Sequence, residues 1–223
     1  LRYLFEICNK FNKKDEIEFT FECNLNDINE EMLAILKENG VNRLSIGIES
    51  FNEDKLKFME RFHTYEDAET KMKLIRSMGF DNVNVDLIYG IPGETVKDLK
   101  KDLDLLLKLE PDHISTYSLI IEDNTKVGNS GIVPIDEELD ASMYEMIGDR
   151  LTSKKFKHYE VSNFALEGKE SRHNLQYWNN EEYYGFGLGS VSYIDNYRIS
   201  NTKSMSKYLN NDYENNREYE DIN

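Results

Sequence analysis

Four short stretches alternate apolar and polar residues, and three of them are followed by a capped helical pattern. That rhythm limits the architectures open to the first half of the chain. Ile17–Glu22 reads IEFTFE, with Ile17, Phe19 and Phe21 on one side and Glu18, Thr20 and Glu22 on the other. Val41–Glu49 repeats the pattern: Leu44, Ile46 and Ile48 share one face, and Arg43, Ser45, Gly47 and Glu49 share the other. In Asn82–Thr95, NVNVDLIYGIPGET, Val83, Val85 and Leu87 alternate with Asn84 and Asp86 before a Gly-Ile-Pro-Gly turn. His113–Leu119, HISTYSL, is the fourth. Period-two alternation marks strands whose two faces meet different surroundings.

Helical signals lie between them. Asp27 and Glu30 read as a capping box ahead of Ile28, Met32, Ile35 and Leu36, with Gly40 at the stop. A short helix over Asp54–Met59 leads to Arg61. Thr64 and Asp67 cap a helix with the stripe Ala68, Met72, Ile75 and Met78, closed by Gly79. Thr95 and Asp98 cap another, with Leu99, Leu103, Leu106 and Leu107 inward and Pro111 beyond it. Strand–helix–strand order at this spacing predicts parallel strands with helical crossovers. A doubly wound sheet buries both faces and reads as continuous apolar runs. Alternating strands predict a barrel or partial barrel instead, with the mixed face in a lumen and the site at the strands' carboxyl ends.

After Ile121 the rhythm changes. A Gly/Asn-rich loop over Glu122–Pro134 precedes a helix over Ile135–Lys155 and a strand over Tyr159–Phe164. Arg172–Tyr193 is rich in aromatics and glycine, and Ser204–Leu209 reads as a short helix. A division near residue 125 follows, with an α/β barrel part over 1–125 and a smaller α+β region over 126–223. The chain opens inside an amphipathic pattern, LRYLFEICNKF, so a fragment truncated at both ends is expected.

The net charge of −16 and the sequence pI of about 4.7 argue against nucleic acid and anionic membrane as partners, because both require a cationic surface. Cys8 and Cys23 are the only cysteines, too few for a disulfide scaffold, which points to a reducing cytosol. No apolar run is long enough to span a bilayer.

On the alternation, three successive strands each place an acid last on the mixed face: Glu22, Glu49 and Asp86. Converging carboxylates repel unless a cation, a metal or hydroxyl donors lie between them. Arg61 follows the second strand closely enough to reach the same mouth and grip an anion through its fork geometry. The pocket therefore asks for a zwitterionic ligand, with an ammonium or hydroxyls for the acids and a carboxylate or phosphate for Arg61. One such acid alone is more often an ordinary loop-entry residue; three in phase point to a site. Gly90 and Gly93 let backbone approach a ligand. Ser171–Trp178, SRHNLQYW, packs Arg, His, two amides, Tyr and Trp into eight residues and reads as a recognition loop. His63, His113 and His158 show no partner in the sequence.

These segments resemble a known family. LSIGIESF, the lone Arg61, GFDNVNVDLIYGIPGET and DHISTYSL are similar to the radical S-adenosylmethionine proteins related to oxygen-independent coproporphyrinogen III oxidase. YEVSNFA, SRHNLQYW and GFGLGSVSY resemble the HemW-like heme-chaperone branch, and the likeness runs from about Ile17 to Tyr193. The resemblance implies a partial (β/α)6 barrel holding strands three to six. It also implies S-adenosylmethionine, with Glu22 at the methionyl group, Asp86 at the ribose, Arg61 at the carboxylate and Tyr117 near the adenine. Glu49 stands where the family usually has Gln, next to the ribose, which adds a charge. Glu22 sits in Glu-Cys-Asn-Leu, where the family motif usually continues Asn-Pro. His173, Asn174, Tyr177 and Trp178 match an HNxxYW signature linked to heme handling.

The family's CxxxCxxC, which holds a [4Fe-4S] cluster, is not in this sequence, and Cys8 and Cys23 do not match it. The resemblance implies a cytosolic protein that binds S-adenosylmethionine and heme and delivers heme to acceptor proteins. An alternative is oxygen-independent oxidative decarboxylation of coproporphyrinogen III. A further alternative is an inactive fragment without the iron–sulfur site.

Overall fold

Leu44, Ile46 and Ile48 are fully buried, and so are Val83, Val85 and Leu87, so the apolar faces read from the sequence do form one core. In the computed structural model, which describes residues 1–11, 17–121, 132–210 and 217–222, the chain divides into two compact units, Leu1–Glu170 and Ser171–Asn223.

The first unit opens with α1 (Arg2–Cys8), followed by β1 (Thr20–Asn24), a 3-10 turn at Leu25–Asp27, and α2 (Glu30–Glu38). β2 (Arg43–Glu49), α3 (Glu53–Phe58), α4 (Tyr65–Ser77), β3 (Val83–Tyr89), α5 (Val96–Lys108) and β4 (His113–Ser118) follow. α6 (Glu137–Thr152), β5 (Lys157–His158) and β6 (Asn163–Ala165) complete it. β1 to β4 are parallel neighbours in that order, and β6 then β5 join antiparallel beyond β4. This mixed sheet, with helices on its apolar face, is the partial barrel expected from the pattern, with β1 at one edge. The mixed face is not solvated throughout: Arg43, Ser45, Asn84, His113 and Ser115 are buried beside one another.

The helices start where their caps dictate. Thr64 accepts from the Asp67 amide and Asp67 returns a bond to Thr64; Thr95 and Asp98 do the same. Each such cap contributes about 1 kcal/mol. The expected Asp27–Glu30 box does not form. Asp27 is used in the 3-10 turn, and Asn29 caps α2 by accepting from the Met32 amide at 2.9 Å. α5 buries Leu99, Leu103 and Leu106, each worth about 1.5–3 kcal/mol against exposure.

Two strand boundaries move. The first strand begins at Thr20 and runs to Asn24, and the Tyr159–Phe164 strand is realised as Asn163–Ala165 paired to β4. The expected boundary near residue 125 and most of the Glu122–Pro134 loop lie outside the described residues. The change of rhythm there does not coincide with the division between units, because α6, β5 and β6 belong with the barrel sheet: Met143, Ile147 and Leu151 are fully buried in the same core.

The second unit begins with α7 (Arg172–Trp178), then β7 (Val191–Ile194), β8 (Tyr197–Ser200), α8 (Met205–Leu209) and β9 (Glu218–Asp221). The three strands form an antiparallel sheet in sequence order. SRHNLQYW is therefore not a loop. Ser171 caps it by accepting from the Asn174 amide, and Arg172 to Trp178 are helical.

Candidate functional site

The register places the three acids on successive levels of the lumen rather than on one rim. Glu22 is level with Ser45, and through it with Asn84 and His113. Asp86 lies one step higher, level with Gly47 and Ser115, and Asn24 of β1 shares that level. A bulge between Gly47 and Glu49 shifts the register and lifts Glu49 further. Only Glu49 is last on its strand's mixed face, since Asn24 follows Glu22 and Ile88 follows Asp86. The acids nonetheless share one lumen: the Glu22 charge raises the Asp86 carboxyl, and the Asp86 charge raises that of Glu49.

Glu49 is the strained residue. Its φ is 70°, left-handed and unusual for a side chain that size, at a cost of about 1–3 kcal/mol. The Ser50 amide donates to the Ile48 carbonyl at 2.8 Å, closing a three-residue turn around it. This turn aims the carboxylate at Arg61, whose Nη2 lies 3.5 Å from Glu49 Oε1. Arg61 also donates to the Asn24 side chain. Gly47 makes the room: a Cβ there would sit 2.7 Å from Glu49 Oε1. Burial, then the Asp86 charge, push the Glu49 carboxyl up to about 7, against the lowering influence of Arg61.

Asp86 rests on a polar floor. Asn84 Nδ2 donates to Asp86 Oδ1 at 2.7 Å and to Ser45 Oγ at 2.8 Å. Burial raises the Asp86 carboxyl, and hydrogen bonds from Asn84 and Ser115 oppose that rise. His113 Nδ1 lies 2.6 Å from Asn84 Oδ1, and His113 Nε2 lies 2.7 Å from the Tyr159 hydroxyl. Two of the other three histidines also have partners in this unit: His63 Nε2 is 3.3 Å from the Ser50 carbonyl, and His158 stacks on Phe164 at 4.1 Å.

A buried ion triad ties the loops above the strands together. Lys55 Nζ is 2.5 Å from Glu94 Oε1 and 2.8 Å from Asp102 Oδ2, with all three side chains nearly inaccessible. Asp102 accepts from Ser50 Oγ and from the Phe51 amide, and Glu94 accepts from the Ile91 amide in the Gly-Ile-Pro-Gly turn. The triad joins the turn after Glu49 to the turn after β3. Sequence spacing could not reveal it, because its members lie on α3, the β3–α5 turn and α5.

Tyr117 stands at the mouth, 44% exposed and level with Ile88. A cavity of about 570 Å³ opens beside it, bounded by Tyr89, Ser118, Ile120 and Tyr144. Glu22, Glu49, Arg61 and Asp86 do not line that cavity. In the second unit, His173 and Tyr177 stand one turn apart on α7 with rings edge to face at 4.8 Å, and Tyr177 packs on Tyr183 at 4.4 Å. Trp178 is 57% exposed. Asn174 is half-buried on the same helix, with its amide in the Ser171 cap.

Comparison with known proteins matches this arrangement. The family described as the Radical SAM superfamily matches residues 1–106. The Heme chaperone HemW of Lactococcus lactis is 41% identical over 196 residues, covering 86% of this chain and 52% of the relative. The Heme chaperone HemW of Bacillus subtilis is 39% identical over 217 residues, covering 94% and 57%. Residues 1–106 of this chain thus match the radical SAM superfamily, and the chain is HemW-like in sequence. In fold it is similar to the coproporphyrinogen III oxidase HemN of Escherichia coli, at a TM-score of 0.84 with 19% identity, over 99% of this chain and 55% of that one. The chain spans about half the length of the curated relatives it matches.

The family implies an iron–sulfur cluster, and the residues present do not fit one. Cys8 and Cys23 are both free, and burial together with the Asp27, Asp86 and Glu22 charges pushes the Cys23 thiol up to about 12, far from a thiolate ligand. Among the described residues no group of three or more His, Cys, Asp or Glu is arranged to hold a metal. No helix among them is long and apolar enough to cross a membrane.

Proposed function

We propose that the lumen mouth holds S-adenosylmethionine and that the protein carrying this chain handles heme in the manner named for its HemW relatives. The observation that carries the first part is Arg61, aimed between Glu49 and Asn24, above an Asp86 whose carboxyl is raised by burial. Three acids, two of them half-buried, and one guanidinium fit a zwitterion with hydroxyls. Arg61 would take the carboxylate, Glu22 the methionyl ammonium, and Asp86 and Glu49 the ribose hydroxyls, with Tyr117 flanking the adenine. When bound, S-adenosylmethionine supplies a sulfonium centre open to reductive cleavage. The chain's own residues orient it: the glycine at 47 leaves the space, and the γ-turn at Glu49 sets the carboxylate's direction.

The heme part rests on α7. An exposed His173 beside Tyr177 and Trp178 offers an imidazole and flat apolar surface to a porphyrin. The free cysteines support a reducing cytosolic setting. Heme-acceptor proteins would be its partners. Titrating the full protein with heme, followed at the Soret band, tests this reading: saturable binding that His173→Ala weakens is expected, and no saturation overturns it. A second reading, oxidation of coproporphyrinogen III, is favoured by the fold likeness to HemN. An anaerobic assay for protoporphyrinogen IX separates the two.

A further inference from the structure

The strands HISTYSL and YEVSNFA meet in the barrel floor, and the proposed ligand contacts make no use of their buried polar residues. His113 is fully buried, as is the amide of Asn84 beneath Asp86. The hydrogen bonds run in one direction. Asp86 and Ser45 both take protons from Asn84 Nδ2, at 2.7 and 2.8 Å, which turns Asn84 Oδ1 toward β4. That oxygen is an acceptor only. It therefore receives the His113 Nδ1 proton at 2.6 Å. With Nδ1 protonated on a neutral ring, Nε2 carries the lone pair and accepts from the Tyr159 hydroxyl at 2.7 Å. The ring is held neutral by its burial and by the nearby Arg43 charge, which together push its pKa down to about 3.

We propose that Tyr159, through His113 and Asn84, fixes the direction in which Asp86 presents its carboxylate to the ligand, making Tyr159 and His113 positioning residues. The proposal rests on the S-adenosylmethionine reading of Asp86. The physical case is that an amide in a lumen has two orientations, and only one donates to Asp86. His113 selects it by offering Asn84 a donor from below, and Tyr159 selects the histidine tautomer that makes this offer. Neither residue touches the ligand. β6 and the segment before it thereby acquire a role in a site they do not line.

The test is a double-mutant cycle on the full protein, read by titration with S-adenosylmethionine. Tyr159→Phe removes only the hydroxyl and is expected to raise Kd about three- to tenfold, the scale of one net hydrogen bond. In an Asp86→Ala background the same change is expected to leave Kd unaltered. Equal weakening in both backgrounds, or no weakening in the native one, overturns the proposal. If Asp86→Ala itself leaves Kd unchanged, the S-adenosylmethionine reading of Asp86 fails and the proposal with it. Nitrogen NMR of His113 is an independent arm: a neutral ring protonated at Nδ1 is expected near neutral pH, and protonation at Nε2 overturns the relay whatever the ligand.

Discussion

Ser50 Oγ donates to Asp102 Oδ2 at 2.6 Å, one residue beyond the left-handed Glu49. Asp102 also receives the Phe51 amide at 3.0 Å and lies 2.8 Å from Lys55 Nζ. The strained turn that aims Glu49 is thus anchored by a carboxylate from α5, and that carboxylate is neutralised by a lysine from α3. Lys55→Met leaves Glu94 and Asp102 as two buried carboxylates with no cation between them. Removing one member of a buried ion pair costs about 3–5 kcal/mol. Urea unfolding is expected to show a loss on that scale, with a lower midpoint; a loss below about 1 kcal/mol would mean the triad is open to water.

Glu49 imposes a pH dependence with a definite sign. Its carboxyl is raised from 4.5 to about 7, so the folded state holds a proton that the unfolded state releases. The destabilisation is fully present above about 7, shrinks as pH falls between the folded and unfolded values, and is absent below about 4.5. With a side chain only 12% exposed, the swing amounts to about 3 kcal/mol. Glu49→Gln is expected to stabilise the protein at alkaline pH and leave stability at acid pH nearly unchanged. Parallel stability curves for the two proteins across this range would refute the assignment.

Gly47 is required by space rather than by backbone conformation. A Cβ at this position would stand 2.7 Å from Glu49 Oε1 and 3.8 Å from Arg61 Nη2. Gly47→Ala must push the glutamate off Arg61. The atom displaced is the far end of a flexible side chain, so the change costs little in stability. The expected result is a nearly unchanged melting temperature together with weaker S-adenosylmethionine binding. Unchanged affinity in Gly47→Ala would show that the Glu49–Arg61 contact has no bearing on the ligand.

Elements whose signals are local were readable in advance. The Thr64–Asp67 and Thr95–Asp98 boxes formed because each closes over three residues that no other turn claims. Asp27 and Glu30 have the same spacing, but Asp27 is taken by the 3-10 turn and Asn29 becomes the cap. SRHNLQYW gives little periodic signal, with Leu175 its one aliphatic residue; its helical start is carried by Ser171, whose side chain caps it. Glu22, Glu49 and Asp86 could be placed on one face from alternation alone. Their levels could not, because these depend on the inter-strand register and on the bulge at Gly47–Glu49. Lys55, Glu94 and Asp102, and likewise His113 and Tyr159, meet only through tertiary packing, and no spacing within the chain encodes their contact.

The central claim is that the acids of this lumen hold S-adenosylmethionine, and Asp86 is the acid set deepest in the polar network. Titrating the full protein and its Asp86→Ala variant with S-adenosylmethionine tests it most directly. Losing a hydrogen bond to a charged group costs about 1–3 kcal/mol, so Kd is expected to rise roughly 5- to 150-fold. A Kd that is the same in both proteins, each folded by circular dichroism, would contradict the account.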